Sequence, residues 1–337
     1  MKTIALCFNI PELDEGGWRD KQVCKQYPGS GWAPYVGDFF TRNDVKYLVI
    51  SGSVALAGIA SGAYKPGELC VIQEELNETG LKLVKAGAIP WMMFCLESPL
   101  FAPFFYDKLR EKDPDIFQFK HRLFFGKRGT EPVHFPSFDL DDIQDPDPYF
   151  SRKELCAVIS NKHYSQYKNM FGHSPSWQMA IQSQLHDMRY QTIEQFIKIG
   201  GIDLYGKGWP RGVGQELPAG AKLATIRKYQ TSLCGENIVM EGYVTEKLIE
   251  CLVAGVVPAY IGAPDIGNYV PSTCYLGECT DRLEIIEAGQ KFIRSPEGRK
   301  YSFQGWAEHI LDLFVQDEGN HDRHDERNEP ATDNAQA

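Results

Sequence analysis

The sequence predicts an α/β protein built from two doubly wound halves. Short apolar β-type runs alternate with longer helical patterns in both halves, an acidic proline-bearing stretch separates them, and 337 residues suffice for two domains of about 150. In the first half the β-type runs are Thr3–Phe8, Val45–Ile50 and Ile89–Cys95, with an amphipathic stretch at Glu68–Ala86. In the second half they are Leu155–Ser160, Ile202–Tyr205, Ile238–Met240 and Val256–Ile261. Helical patterns at Leu185–Ile199, Lys222–Ser232 and Thr245–Ala254 lie between them. The stretch from Asp139 to Pro148 reads as an interdomain linker, which gives domains at 1–148 and 149–315. Residues 316–337 are polar and acid-rich and are expected to form a disordered tail.

From Tyr47 to Tyr64 no charged residue occurs, a length that could cross a membrane. The stretch holds three serines and three glycines, however, and its strongly apolar part ends at Ile50. It reads as a buried strand followed by a small-residue turn or helix, so no integral membrane span is expected. The 35 basic and 45 acidic residues give a net charge of −10, which argues against nucleic acid as the main partner. Nine cysteines are scattered singly with no C-x-x-C, and the first eight residues are too short for a secretory leader. Reduced, buried thiols and a cytoplasmic location are the expectation.

Chemistry concentrates at the Thr245–Ala254 helix. Thr245 is a plausible N-cap, Leu248 and Leu252 form an apolar pair, and Gly255 supplies a left-handed stop. Glu246 and Lys247 then fall on the first turn. Free N–H groups and a lysine at a helix start favour a diphosphate, and Glu246, about 100° away, can face a sugar. A solvated helix start with ordinary surface charges remains the plain alternative. Three D-x-D patterns, at Asp113, Asp139 and Asp145, read as turns. The glycine-rich Gly206–Gly214 stretch contains Pro210 and is no dinucleotide fingerprint, and no histidine cluster suggests zinc.

Several of these segments share a pattern. Tyr229-Gln-Thr-Ser-Leu-Cys-Gly-Glu-Asn237, then Tyr243-Val-Thr-Glu-Lys247, Ala254-Gly-Val-Val-Pro258 and Gly262-Ala-Pro264, resemble the α1,3-fucosyltransferases of glycosyltransferase family 10. Two departures are visible: Gly235 stands where the family has Phe, and Ile238 where it has Ser. Upstream, Glu154–Asn161, Arg189–Ile197 and Ile202–Gly206 look like the strand, helix and strand that precede this motif in the family. Trp91–Pro99, with its Glu-Ser-Pro turn, is similar to the acceptor side.

The resemblance implies a GT-B type fold, two Rossmann-like domains facing a central cleft. It implies GDP-β-L-fucose as donor, a glycan as acceptor, N-acetylglucosamine in an α1,3-type linkage, and inversion at the anomeric centre. Glu97 would be the general base, Arg189 and Lys247 the cations for the leaving diphosphate, and Glu246 the stabiliser of charge on the sugar. Asn237 and Tyr243 would hold ribose or phosphate oxygens, and Asp203, Tyr205 and Gly206 would lie beside the guanosine. With two cations at the diphosphate, no metal or other cofactor is required. A transferase using another nucleotide sugar, or a sugar-nucleotide-binding protein without turnover, are the alternatives.

Overall fold

Two parallel sheets, each wound in the same order, carry the chain. The computed structural model describes residues 3–24, 26–27, 30–42, 48–126, 129–130, 133–160, 167–210, 212–218 and 220–325. The first sheet contains β1 (Thr3–Cys7), β2 (Leu48–Ser51), β3 (Leu69–Glu74), β4 (Ile89–Cys95) and β5 (His121–Phe124), in the order β2-β1-β3-β4-β5. The second contains β6 (Lys153–Val158), β7 (Asp203–Tyr205), β8 (Tyr229–Gly235) and β9 (Val257–Ile261), in the order β7-β6-β8-β9. The described pairings within both sheets are parallel. Each strand order reverses once, between β1 and β3 and between β6 and β8, and a crevice opens outside the carboxyl ends of the strands at such a point. These are the two Rossmann-like halves expected, facing a shared cleft in the GT-B manner.

Strand composition follows position. β1 and β3 are buried almost throughout, as interior parallel strands covered on both faces must be. Pro258 sits in β9, the edge of its sheet, where a missing N–H is tolerated. The charge-free stretch resolves into β2 and a helix, Gly52–Ser61, that ends at left-handed Gly62. Among the described residues no helix is long and apolar enough to cross a membrane. The nine cysteines are free thiols, eight of them buried.

Four expectations change. The segment Lys222–Ser232, read as one helix, is a short helix, Lys222–Ile226, followed by β8 from Tyr229. Its aromatic and β-branched residues belong to the centre of a buried sheet. Ile238–Met240 is not a strand but a loop with one bridge, Gln184 to Ile238. Glu68–Ala86 divides into β3 and a helix, Glu78–Lys85. Asn77 caps that helix by accepting from Gly80 N–H at 2.9 Å.

The fourth change is at the end of the chain. Residues 303–315, expected in the second half, start a helix, Phe303–Asp325, that packs on the first sheet. Trp306 lies against Trp32 at 5.4 Å between ring centroids, and Phe314 against Trp91 at 4.2 Å. The chain returns beside the linker: Ser137 N–H donates to Tyr301 O at 2.8 Å and Phe303 N–H to Phe138 O at 2.8 Å. The tail expected to be disordered from 316 is therefore helical through Asp325, and residues 326–337 lie outside the described residues. Asp317 is fixed by Trp91 Nε1 at 2.9 Å, His121 at 3.1 Å and Lys120. Large apolar residues repeating at helical spacing, Phe303, Trp306, Ile310 and Phe314, outweigh the acidic composition that follows them.

Candidate functional site

Between the sheets lies a cavity of about 460 Å³. Glu97 and Phe101 enter it from the first half, and Arg189, Asn237, Tyr243, Glu246 and Lys247 from the second. Gly206 and Ser160, past the ends of β7 and β6, complete its floor. Seven of the nine residues singled out from sequence thus meet in one place.

The helix Glu246–Ala254 starts as expected, with Thr245 extended at the N-cap and Gly255 left-handed at φ 63° after its end. Its first turn is not free, however. Lys247 Nζ lies 3.1 Å from Glu246 Oε1, 3.3 Å from Glu236 Oε2 and 3.0 Å from Thr245 Oγ1. Thr245 makes no side-chain cap; its hydroxyl donates to Glu236 Oε2 at 2.7 Å. Glu246 is further paired with Lys222, at 3.6 Å, and Lys222 Nζ lies 2.5 Å from Glu250 Oε2. Burial opposes the charge on Glu246, but Lys247 and Lys222 outweigh it and hold the carboxyl at about 2. Burial likewise opposes the Lys247 ammonium, and Glu246 with Glu236 raises it above its usual range.

Arg189 is buried and donates from Nη1 to Gly235 O at 2.9 Å and to Asn237 Oδ1 at 3.2 Å. Its Nη2 lies 3.0 Å from His186 Nδ1, and its buried Nε has no hydrogen-bond partner. Burial lowers the guanidinium to about 10, so it stays charged at neutral pH. Gly235 now has a reason. A Cβ there would lie 2.8 Å from Arg189 Cδ, so glycine is what lets the arginine reach across the end of β8.

Glu97 follows β4 by two residues, and its side chain is exposed to the cleft. Its carbonyl accepts from Tyr106 Oη at 3.1 Å. Its carboxylate is near enough to the Tyr243 and Tyr167 phenols to reinforce the rise that burial gives them.

Asp203 and Tyr205 do not join the cleft. Residues two apart on a strand share a face, and this face turns to the sheet's own packing. Asp203 accepts from Tyr229 Oη at 2.6 Å and pairs with Lys153 at 2.7 Å; Tyr205 Oη lies 2.7 Å from Tyr229 Oη. Both brace the edge of the second sheet, and only Gly206, at the carboxyl end, reaches the cavity.

Sequence reasoning missed Lys222, Glu236 and Glu250. Glu236 sits inside the quoted motif, and an acid between two β-type runs was the available signal; the structure buries it fully. Lys222 had none, because its partners come from a helix 24 residues further on. The D-x-D patterns take structural duties: Asp113 accepts from Asp115 N–H at 2.8 Å, and Asp139 from Gln304 Nε2 at 2.7 Å. Among the described residues no group of three His, Cys, Asp or Glu side chains could hold a metal ion.

Another cavity has a volume of about 430 Å³. Pro99, Tyr106, Leu109, Phe125, Met179 and Ile238 contribute to its mainly apolar wall. Ile238, the other departure from the family pattern, is thus a wall of this cavity rather than of the charged one.

Comparison with known proteins agrees with the motif. Residues 173–282 match the family model described as glycosyltransferase family 10 (fucosyltransferase), C-terminal. GDP-fucose protein O-fucosyltransferase 3 of Xenopus tropicalis is 26% identical over 205 residues, covering 59% of this chain and 40% of that protein. Alpha-(1,3)-fucosyltransferase 4 of Bos taurus is 35% identical over 91 residues, covering 26% of this chain and 21% of that protein. The chain thus spans less than half the length of these curated relatives. A crystal structure of an α1,3-fucosyltransferase with GDP-fucose aligns over 94% of this chain and 89% of that one, at 14% identity and a TM-score of 0.40. That overlap is loose, and the architecture rests on the sheet orders given above.

Proposed function

We propose that the cleft is a fucosyltransferase site that takes GDP-β-L-fucose and passes the sugar, with inversion, to an acceptor hydroxyl. The observation that carries this reading is the opposition of Glu97 to Arg189 and Lys247 across one cavity, inside and beside the matched family segment. Glu97 takes the acceptor proton as the hydroxyl attacks the anomeric carbon. The bond to the diphosphate breaks on the far side, and Arg189 and Lys247 receive the growing charge on the leaving GDP. One cation about 4 Å from a phosphate contributes roughly 4 kcal/mol at an effective dielectric near 20, before desolvation. Glu246 stays ionised beside Lys247 and faces the positive charge that develops on the fucose ring. Asn237 and Tyr243 offer polar contacts to ribose or phosphate oxygens. Two cations at the leaving group make a metal unnecessary for the chemistry.

An α1,3-linkage to N-acetylglucosamine in a glycan is one acceptor reading. A polypeptide hydroxyl is the second, favoured by the relative named a protein O-fucosyltransferase, which covers more of the chain than the α1,3-fucosyltransferase does. The test is GDP release from GDP-fucose against glycan and polypeptide acceptors. Transfer to either class supports the site, and the class that accepts fucose decides between the readings. Turnover of UDP- or ADP-sugars in place of GDP-fucose would overturn the donor assignment.

A further inference from the structure

Glu236 is a fully buried carboxylate at the end of β8, and the donor chemistry just described leaves it without a task. It receives three donors. Thr245 N–H reaches Oε1 at 2.8 Å, Thr245 Oγ1 reaches Oε2 at 2.7 Å, and Lys247 Nζ lies 3.3 Å from Oε2. That set suits an ionised carboxyl, which only accepts. The side chain is also confined, since a Cβ at Gly262 would lie 2.4 Å from Glu236 Cγ.

The ammonium expected to meet a diphosphate is therefore already shared between Glu236 and Glu246. A diphosphate that draws it away leaves Glu236 buried without its cation and beside new negative charge. A carboxylate so placed becomes neutral by taking a proton.

We propose that Glu236 is the positioning residue of Lys247: it holds the ammonium in the empty site and takes up a proton from solvent when an anionic nucleoside diphosphate sugar binds, releasing Lys247 to the phosphates. The proposal rests on the donor reading given above. The only bond formed is the O–H of the carboxyl, with a proton supplied by solvent or buffer. The carboxyl proton on Oε2 is donated to Thr245 Oγ1, and the threonine hydroxyl hydrogen, no longer needed by the carboxylate, turns toward a phosphate oxygen.

The surroundings single out Glu236 as the group that changes charge. Lys247 and Glu246 face it from the Glu246–Ala254 helix, Arg189 from the His186–Lys198 helix, Tyr260 from β9, Cys234 from β8 and Tyr243 from the turn before Thr245. Arg189 and Lys247 favour the carboxylate, whereas burial and Glu246 favour the acid. Burial pushes the Cys234 thiol and the Tyr243 and Tyr260 phenols up, so they remain neutral. Glu250, on the far side of Glu246 and paired with Lys222, is the rival proton acceptor.

The experiment is calorimetric titration of the full chain with GDP-fucose near neutral pH, in buffers of differing ionisation enthalpy. GDP-fucose is chosen because its diphosphate is esterified at both ends and does not titrate there. The dependence of the binding heat on the buffer gives the protons taken up. Wild type is expected to take up about half to one proton per donor bound, and its affinity to fall by up to about tenfold per pH unit as pH rises. Glu236→Gln should bind with no uptake and a flat pH profile, Glu236→Asp should restore uptake, and Glu250→Gln should keep it. Binding without uptake in wild type overturns the proposal, as does uptake that survives Glu236→Gln or is lost in Glu250→Gln. Absence of GDP-fucose binding overturns the donor reading itself, and this proposal with it.

Discussion

On the C-terminal wall of the cleft, Arg189, Lys222 and Lys247 stand among Glu236, Glu246 and Glu250, three cations to three carboxylates. On the N-terminal side, Glu97 lines the cleft, and behind it Glu74 at the end of β3 and Glu75 just after it lie near Glu97, the Cys95 thiol and the Tyr106 phenol. The two walls are wound alike but hold charge differently. Cations keep Glu246 at about 2, whereas burial, with Glu74 and Glu97, pushes Glu75 up to about 7. One wall keeps ions in a buried place, as the proposed diphosphate site requires. Behind the other, burial favours the neutral form of Glu75, while Glu97 is exposed to the cleft.

Five changes test this contrast, in falling order of effect. Glu97→Gln removes the proposed base, and transfer should fall about 10³-fold while GDP-fucose binding stays within about twofold, as single-turnover and binding assays would read. Loss of donor binding instead would move Glu97 to the donor wall. Lys222→Met strands Glu246 and Glu250, and chemical denaturation should show a loss of about 3–5 kcal/mol, largely recovered in the Lys222→Met, Glu250→Leu pair. An unchanged stability would mean the buried network is not held by ion pairing.

The third change is read by pH. Glu75 has a folded value above its usual one, so its neutral form is the stabilising one, and stability falls as pH rises from about 4.5 to about 7. Glu75→Gln should remove that slope and gain up to about 3 kcal/mol above pH 7, with no gain below about pH 4.5. Glu246 carries the opposite sign. Its contribution is present above about pH 4.5 and is lost as pH falls through about 2, so Glu246→Gln should flatten the acid limb alone. Parallel slopes in the two variants would erase the contrast between the walls. The smallest effect is expected from Asp203→Asn, which leaves the cleft intact and should alter turnover by less than about twofold while costing about 1 kcal/mol of stability.

What was legible in the sequence follows the same division. The donor wall could be read because its groups are local: Asn237 and Tyr243 lie in the turn that leads into the helix carrying Glu246 and Lys247, and Thr245 and Gly255 bound that helix. Arg189 was placed by its spacing to the strand after it, whereas Gly235 was seen only as a departure from the family pattern until the structure set it against that arginine. Asp203 and Tyr205 were misplaced because a strand points its residues to alternate faces, and a motif shows position without face. Lys222 was invisible because its meaning lies in Glu246 and Glu250, which chain order separates from it. The closing helix was divided between the second half and a tail because its acidic end masked the apolar stripe that anchors it to the first sheet.

The central claim is that Lys247 and Arg189 serve a departing GDP opposite Glu97. It is tested most directly by steady-state and single-turnover fucose transfer from GDP-fucose by wild type, Lys247→Ala and Arg189→Ala. The predicted result is turnover reduced about 10²–10³-fold in each variant, with the folded state retained in circular dichroism. Near-normal turnover in either variant would contradict the account.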